Sequence, residues 1–488
     1  MTTTLERPRA AGADDGRERR PEGASESVTV APGQGGRVRS AARRMLSASP
    51  RIGTTLAISG AALVSLAPGL LPRTAGAQAI LTALLIGLAL GVAGLTRMGL
   101  RRCGIDPNVR FAGVRRPLFA LGAVFVAAAA AQAGHWQNSL RAAMGTPPIG
   151  ADYWLRCAVG AGLLVLVCTG IARGFRWALR RLGLIRGAAL TVVAAIAGYL
   201  VLVPSFVGWR QSTYAAANHT LDPALVQPVS LTWSGSGESA VSWNSLGAEG
   251  RKFVSGDAAG PARVYVGVES APDLDSRVAL AIRELERAGG FGRSNIVIAV
   301  PTGSGWIDAN AMTGFAQRFG ADAAIVGLQY SYAPSWVTFV FGRDDAVAAA
   351  RALFDAVERR SAELGGGHRL FVYGQSLGAY GGSAVFADAA EQDRRTCAVL
   401  WAGPPAGQVH RAGATVLANS SDPVVRWSPA LLWRAPDLSG ARVDAPLPGW
   451  LPVASFIQTT ADLLAALDAP AGHGHRYGAD QGTALGGC

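Results

Sequence analysis

Ser376, set between glycines as Gly374-Gln375-Ser376-Leu377-Gly378, is the first residue whose surroundings suit covalent chemistry. A serine hydroxyl is a weak nucleophile at neutral pH. It needs a base to take its proton and an acid to orient that base. The G-x-S-x-G spacing serves this chemistry on a sharp turn between a strand and a helix, where small flanking residues avoid clashes and the hydroxyl stands above the sheet. With 62 glycines among 488 residues, a serine matches by chance about 1.6% of the time, so context must decide. The context fits. Residues 369–373 (RLFVY) read as a strand, and the small, apolar stretch 377–390 reads as a helix.

In the chain order that goes with this turn, the acid and then the histidine follow the serine. Asp422 lies just beyond the apolar strand 414–418, in Asn419-Ser420-Ser421-Asp422-Pro423, where a sheet presents side chains at its carboxyl edge. Asp388, Asp393, Asp437 and Asp444 lack such a strand-end position. His219 and His368 precede the serine and His410 precedes the acid. That leaves Gly472-His473-Gly474-His475, with His475 preferred as the base and His473 as the alternative. An oxyanion hole is expected from the N–H of Leu377 and from the loop Pro301-Thr302-Gly303-Ser304-Gly305-Trp306, at Gly303 and Ser304. No metal site is expected. The H-x-H pair has no third ligand, and there is no H-E-x-x-H or C-x-x-C. The loop 301–306 lacks the G-K-[ST] of a phosphate loop, so no nucleotide and no other cofactor is indicated.

These residues need a frame. Strands are expected at 263–268 (RVYVGV), Asn295–Val300, Ala323–Leu328, 369–373, 397–401 and 414–418, with helices at 275–287 and 343–364 between them. Continuous apolar strands alternating with helices predict a doubly wound, mostly parallel α/β domain over residues 263–488. Residues 210–262, rich in Gly, Ser, Ala and Trp, read as a linker with one helix near 243–253.

The first half is different. Five charge-free stretches, 52–72, 74–96, 117–140, 157–172 and 187–209, fall between arginines. Most have the roughly 20 apolar residues that a bilayer-spanning helix needs. They predict a transmembrane helical domain over residues 51–209 with about five spans. Residues 1–207 carry 24 basic and 8 acidic residues, against 21 and 25 in residues 208–488, so the basic balance belongs to the apolar half. Arginine-rich and arginine-poor loops alternate, the pattern of positive-inside topology rather than of nucleic-acid binding. The expectation is a multi-pass cell-membrane protein. Its basic tail (residues 1–50) is cytoplasmic and disordered, and its catalytic half is extracytoplasmic. Arg43-Arg44 is not read as a twin-arginine leader, because several spans follow. No Asp, Glu, Lys or Arg lies inside a span, so the spans read as an anchor rather than a pump. Five cysteines give no disulfide framework, and only Cys397 and Cys488 lie in the outer half.

The sequence resembles membrane α/β-hydrolases of actinobacterial type, which pair a multi-span N-terminal region with a C-terminal serine-hydrolase domain. The resemblance runs through Ser65-Leu66-Ala67-Pro68-Gly69-Leu70-Leu71-Pro72-Arg73, the 301–306 loop, Gln329-Tyr330-Ser331-Tyr332 and Pro334-Ser335-Trp336. It continues through Gly374–Gly378, Ser421-Asp422-Pro423-Val424-Val425 and 472–478, and covers nearly everything after residue 50. Gln375 stands where a glutamate is common, a departure expected to matter little. The resemblance implies an α/β-hydrolase fold and a Ser376–Asp422–His475 triad. It supplies no substrate. Placement at a membrane favours an esterase or lipase-like enzyme acting on membrane lipids or lipid-linked esters, with Trp306, Trp336, Trp401 and Trp427 either lining an acyl pocket or serving as core. The alternatives are a cell-envelope acyltransferase using the same acyl-enzyme, and a non-enzymatic scaffold with a degenerate hydrolase domain.

Overall fold

The computed structural model describes residues 50–256 and 260–488. Up to residue 49, the expected basic tail with its Arg43-Arg44 pair lies outside the described residues.

Among the described residues, four helices are long and apolar enough to cross a membrane: Ala75–Arg102, Ala112–Ala143, Ala151–Leu182 and Ala189–His219. The first expected span behaves differently. Its helix, Ile52–Ser65, has 14 residues and rises about 21 Å, short of the roughly 30 Å hydrocarbon core. Pro68 and Pro72, which have no N–H to continue a helix, turn residues 66–73 into a folded loop instead. Small residues let the helices approach closely: a Cβ at Gly160 would sit 3.1 Å from the Ala79 methyl.

The second half holds six strands: β1 (Ala262–Val266), β2 (Asn295–Val300), β3 (Ala323–Leu328), β4 (Arg369–Gln375), β5 (Ala398–Ala402) and β6 (Ala414–Leu417). They form one sheet in the order β1-β3-β2-β4-β5-β6, and every pairing is parallel. β2 and β3 are buried along their whole length, as expected of apolar strands covered by helices on both faces. In the Leu274–Arg287 helix, Asp273 caps the N-terminus by accepting from Ser276 N, and Val278, Ala281 and Leu285 face the sheet. The Ala309–Phe319 helix brings Phe315 edge-on to Tyr373 of β4, with ring centres 5.4 Å apart. The helix after Ser376 is shorter than expected. It spans Leu377–Ser383, and a separate helix follows at Ala389–Arg395.

The segment expected as a linker is part of the domain. The helix beginning at Leu184 runs on to His219, past the boundary expected at residue 209. Beyond it, Trp233 is fully buried, and Val241, Leu246, Phe253 and Val254 join the main core. What holds this segment is the buried carboxylate of Glu284. It accepts from Ala240 N, Ser239 Oγ (2.8 Å) and Ser234 Oγ (3.2 Å), and pairs with Arg287 at 2.9 Å. Burial pushes this carboxyl up, but the hydrogen bonds from Arg287, Ser239 and the Ala240 N–H together bring it below the ordinary glutamate range.

One disulfide joins Cys397, at the start of β5, to Cys488, with a sequence separation of 91 residues. The enclosed stretch carries both Asp422 and His475. Cys488→Ser is expected to lower stability by about 2–4 kcal/mol, read as a lower denaturant midpoint with a somewhat steeper slope, because the unfolded chain loses its cross-link. An unchanged midpoint would mean that the bridge does not constrain the unfolded chain.

Candidate active site

Ser376 occupies the single-residue turn between β4 and the Leu377–Ser383 helix, at φ 56° and ψ −123°. A non-glycine residue held there costs about 1–3 kcal/mol, so the surroundings must impose it. They do. Ser376 N donates to Ala402 O at 2.9 Å, and Ser376 O accepts from Ala379 N at 3.0 Å. The flanking glycines are required by contact. A Cβ at Gly374 would lie 2.4 Å from the Gly378 carbonyl carbon, and one at Gly378 would lie 2.2 Å from Val300 O. Ser376 itself is half-buried, while Gln375 and Leu377 on either side are buried.

Asp422 lies beyond β6, fully buried, as N-cap of the Pro423–Arg426 turn of helix. Its Oδ1 accepts from Val424 N at 2.8 Å. Its Oδ2 accepts from Tyr477 Oη at 2.7 Å and meets His475 Nδ1 at 2.7 Å. Burial, then the adjacent Asp422 charge, push the Tyr477 phenol well above its ordinary value, so it stays neutral and donates. A carboxylate at Nδ1 fixes the His475 tautomer, leaving Nε2 to accept a proton. That Nε2 is buried and has no hydrogen-bond partner among the described residues. Ser376 Oγ makes no hydrogen bond to it here. Such bonds are often long before substrate binds and tighten afterwards.

The His475 loop is tied down by its backbone. Asn419 Nδ2 donates to Gly474 O (2.9 Å), Gly474 N donates to Ser421 Oγ (2.9 Å), and His475 N donates to Ala466 O (3.2 Å). Gln375 Nε2 donates to His475 O at 3.2 Å, a bond that an ionised glutamate could not supply. The residue beside Ser376 therefore braces the loop that carries His475. His473 is turned elsewhere, with Nδ1 3.4 Å from Asp444 Oδ2. Asp444 also accepts from Ser420 Oγ (3.0 Å) and Ser421 N (2.9 Å), so an aspartate without a strand-end position still buttresses the acid loop.

The 301–306 loop is a tight turn at the end of β2. Thr302 N donates to Trp306 O and Gly305 N to Thr302 O, both at 2.9 Å. Its carbonyls are occupied: Gly303 O accepts from Thr338 Oγ1 (3.3 Å), Ser304 O from Gln329 Nε2 (3.2 Å) and Gly305 O from Tyr265 Oη (2.7 Å). The N–H groups of Gly303 and Ser304 have no acceptor among the described residues. Leu377 N–H, at the first position of its helix, has no intrahelical partner either. The close contact of Gly378 with Val300 O and Pro301 O sets these donors on neighbouring segments.

Three residues given no role in the sequence reading belong here. Tyr477 donates to Asp422, and Asp444, set aside there, meets His473 and braces the loop before Asp422. Gly403, one residue past β5, packs so closely that a Cβ there would lie 2.6 Å from His475 Cε1 and 2.9 Å from Asp422 Oδ2. Of the four tryptophans, Trp401 is core and Trp306 is half-buried. Trp427 lies against Phe456 at 5.9 Å, and Trp336 is 60% exposed. Among the described residues, no three His, Cys, Asp or Glu side chains group as metal ligands.

Residues 262–415 and 411–485 match the alpha/beta-hydrolase family, and residues 66–258 match that family's N-terminal region. The chain belongs to the alpha/beta-hydrolase family. No curated protein and no solved structure matches it. In this α/β-hydrolase the all-parallel sheet presents Ser376, Asp422 and His475 at one edge, beyond β4 and β6 and on the last loop. The apolar helices of the N-terminal region precede that sheet in the same chain.

Proposed function

We propose that the protein is a membrane-anchored serine hydrolase that cleaves carboxylic esters, of lipids or lipid-linked molecules, on the outer face of the cytoplasmic membrane. The observation that carries the reading is the buried His475–Asp422 pair, whose unpartnered Nε2 sits on the edge where Ser376 stands in its strained turn. In the proposed reaction Ser376 Oγ attacks the ester carbonyl and its proton passes to His475 Nε2. Asp422 stabilises the imidazolium, and the alcohol leaves with that proton. Water, deprotonated by His475, then releases the acid and regenerates Ser376. The developing oxyanion is received by Leu377 N–H and by Gly303 or Ser304 N–H, at carbonyls already held in place.

Lipid substrates are supported by the apolar surroundings. A groove of about 520 Å³ runs between the Ile52–Ser65 and Ala75–Arg102 helices, from Arg97 and Asn108 at one end to Ile457 at the other. Ile457 follows Phe456, the partner of Trp427. Trp336, Val340 and Phe341 are 60%, 60% and 81% exposed on the short helix that packs against Gly303. The outer placement is supported by the arginine-rich loops 97–116 and 173–186, which the positive-inside rule puts in the cytoplasm so that the last span ends outside, and by a disulfide joining the two cysteines of the second half.

Labelling by a fluorophosphonate probe tests the reading. The detergent-solubilised wild type is expected to label, and Ser376→Ala is expected to lose labelling entirely. Folded wild-type protein that stays unlabelled would overturn the activated serine and favour the scaffold alternative.

A further inference from the structure

The proposed function makes no use of residues 66–73, the loop between the first two apolar helices, although it is built as a clamp. Arg73 is buried there and pairs with the fully buried Asp462 of the Ala454–Leu463 helix. Its Nε and Nη2 reach Asp462 Oδ1 at 3.0 and 2.8 Å, its Nη2 donates to Gln458 O at 3.1 Å, and its Nη1 donates to Gln458 Oε1. Leu70 N donates to Asp462 Oδ2 at 2.7 Å, and Gln458 Nε2 donates to Val64 O at 2.6 Å. From the other side the Arg115–Ala143 helix grips the same loop. Trp136 Nε1 donates to Gly69 O (2.9 Å), Arg73 N donates to Gln137 Oε1 (2.9 Å), and Arg141 Nη2 donates to Arg73 O (2.7 Å).

A buried ion pair contributes little net stability, because both charges lose water. Its forked geometry fixes relative position instead. What it fixes is near the chemistry. Leu70 and Leu71 are buried against Leu140, Met144, Ala445 and Ala469. Leu71 Cδ2 lies 3.1 Å from where a Cβ on Gly474 would be, beside Ala469, whose methyl is 2.9 Å from the same point. Gly474 has φ 54° and immediately precedes His475, whose N–H is held by Ala466 O just beyond the Ala454–Leu463 helix. The loop thus abuts the histidine's own segment.

We infer that residues 66–73 are a positioning element of the hydrolase site: Arg73 locks the loop to Asp462 and Gln458, and Leu71 props the Gly474-His475 turn. Hydrolysis thereby depends on the assembled membrane domain and not on the α/β domain alone. The catalytic consequence rests on the proposed role of His475, whereas the mechanical one does not.

The test uses the full chain in detergent, with Arg73→Lys and Leu71→Ala. Lysine keeps the charge beside Asp462 but cannot make the fork. Alanine leaves every polar contact and removes the prop. Two readouts are taken: backbone hydrogen exchange over residues 470–477, and the rate of fluorophosphonate labelling. In both variants exchange over 470–477 is expected to rise at least about fivefold while the sheet stays protected. Labelling is expected to slow about tenfold, since His475 no longer keeps its setting. Leu71→Ile, which restores the volume, is expected to recover most of the rate. Wild-type exchange in Leu71→Ala would overturn the inference, even if Arg73→Lys failed to fold. Absence of labelling in the wild type would instead sink the serine-hydrolase reading, and exchange would still decide the clamp.

Discussion

His475→Ala is expected to lower turnover of a nitrophenyl ester by about 10⁴–10⁶-fold, and Ser376→Ala by a similar factor. The double variant is expected to be no slower than either single one, because the two residues act in one proton transfer. His473→Ala is expected to stay within about tenfold of wild type, since its imidazole faces Asp444 at 3.4 Å and not Asp422. The contrast has a geometric basis. Both histidines lie in one short loop, but His475 alone has its Nδ1 on the buried acid at 2.7 Å and its Nε2 free of other partners. Steady-state rates of the three single variants and the double variant, each checked for unchanged folding, decide the matter. A hundredfold or greater loss in His473→Ala with little loss in His475→Ala would reverse the assignment.

The strand-to-helix turn at Ser376 was legible in the sequence because its constraints are local. Gly374 and Gly378 are required by contacts across the turn and to the neighbouring strand end, and both sit within two residues of Ser376. The strand-end position of Asp422 was legible because a short apolar strand, β6, ends close before it. The parallel sheet was legible from the fully apolar β2 and β3. What escaped is set by contacts between distant residues. Residues 210–262 read as a linker by composition, yet Ser234 and Ser239 serve as donors to the buried Glu284, 50 and 45 residues away in the chain. The first apolar run looked long enough to cross a bilayer. Pro68 blocks continuation of the helix beyond Ser65, and the remainder folds into the clamp on Asp462. The two cysteines of the second half were seen but not paired, since nothing in a sequence brings Cys488 beside β5. Tyr477 and Gly403 escaped for the same reason: their value lies wholly in touching Asp422 and His475.

Gly403→Ala is expected to lower ester turnover by about 100-fold or more without unfolding the protein. Two separate effects are involved, and a second glycine distinguishes them. Gly403 has φ 53°, so any Cβ brings backbone strain of about 1–2 kcal/mol. Gly407, four residues on at φ 68°, would suffer the same strain but has nothing within 4 Å of its added Cβ. At Gly403 the methyl would also meet His475 Cε1 at 2.6 Å, His475 Nδ1 at 2.8 Å and Asp422 Oδ2 at 2.9 Å. Real Cβ atoms do not approach so closely, so the imidazole, the carboxylate or the strand end must shift. The strand end is held by Gly403 N donating to Leu417 O at 2.8 Å and by Ala402 O accepting from Ser376 N at 2.9 Å. The acid is held by Val424 N and Tyr477 Oη. The imidazole, whose Nε2 has no bond, is the group with least to lose by moving, and its movement takes Nε2 away from the serine. Gly407→Ala is therefore expected to keep near wild-type turnover while sharing the stability loss. If Gly403→Ala turned over substrate as fast as Gly407→Ala, His475 would not be the base that this setting serves.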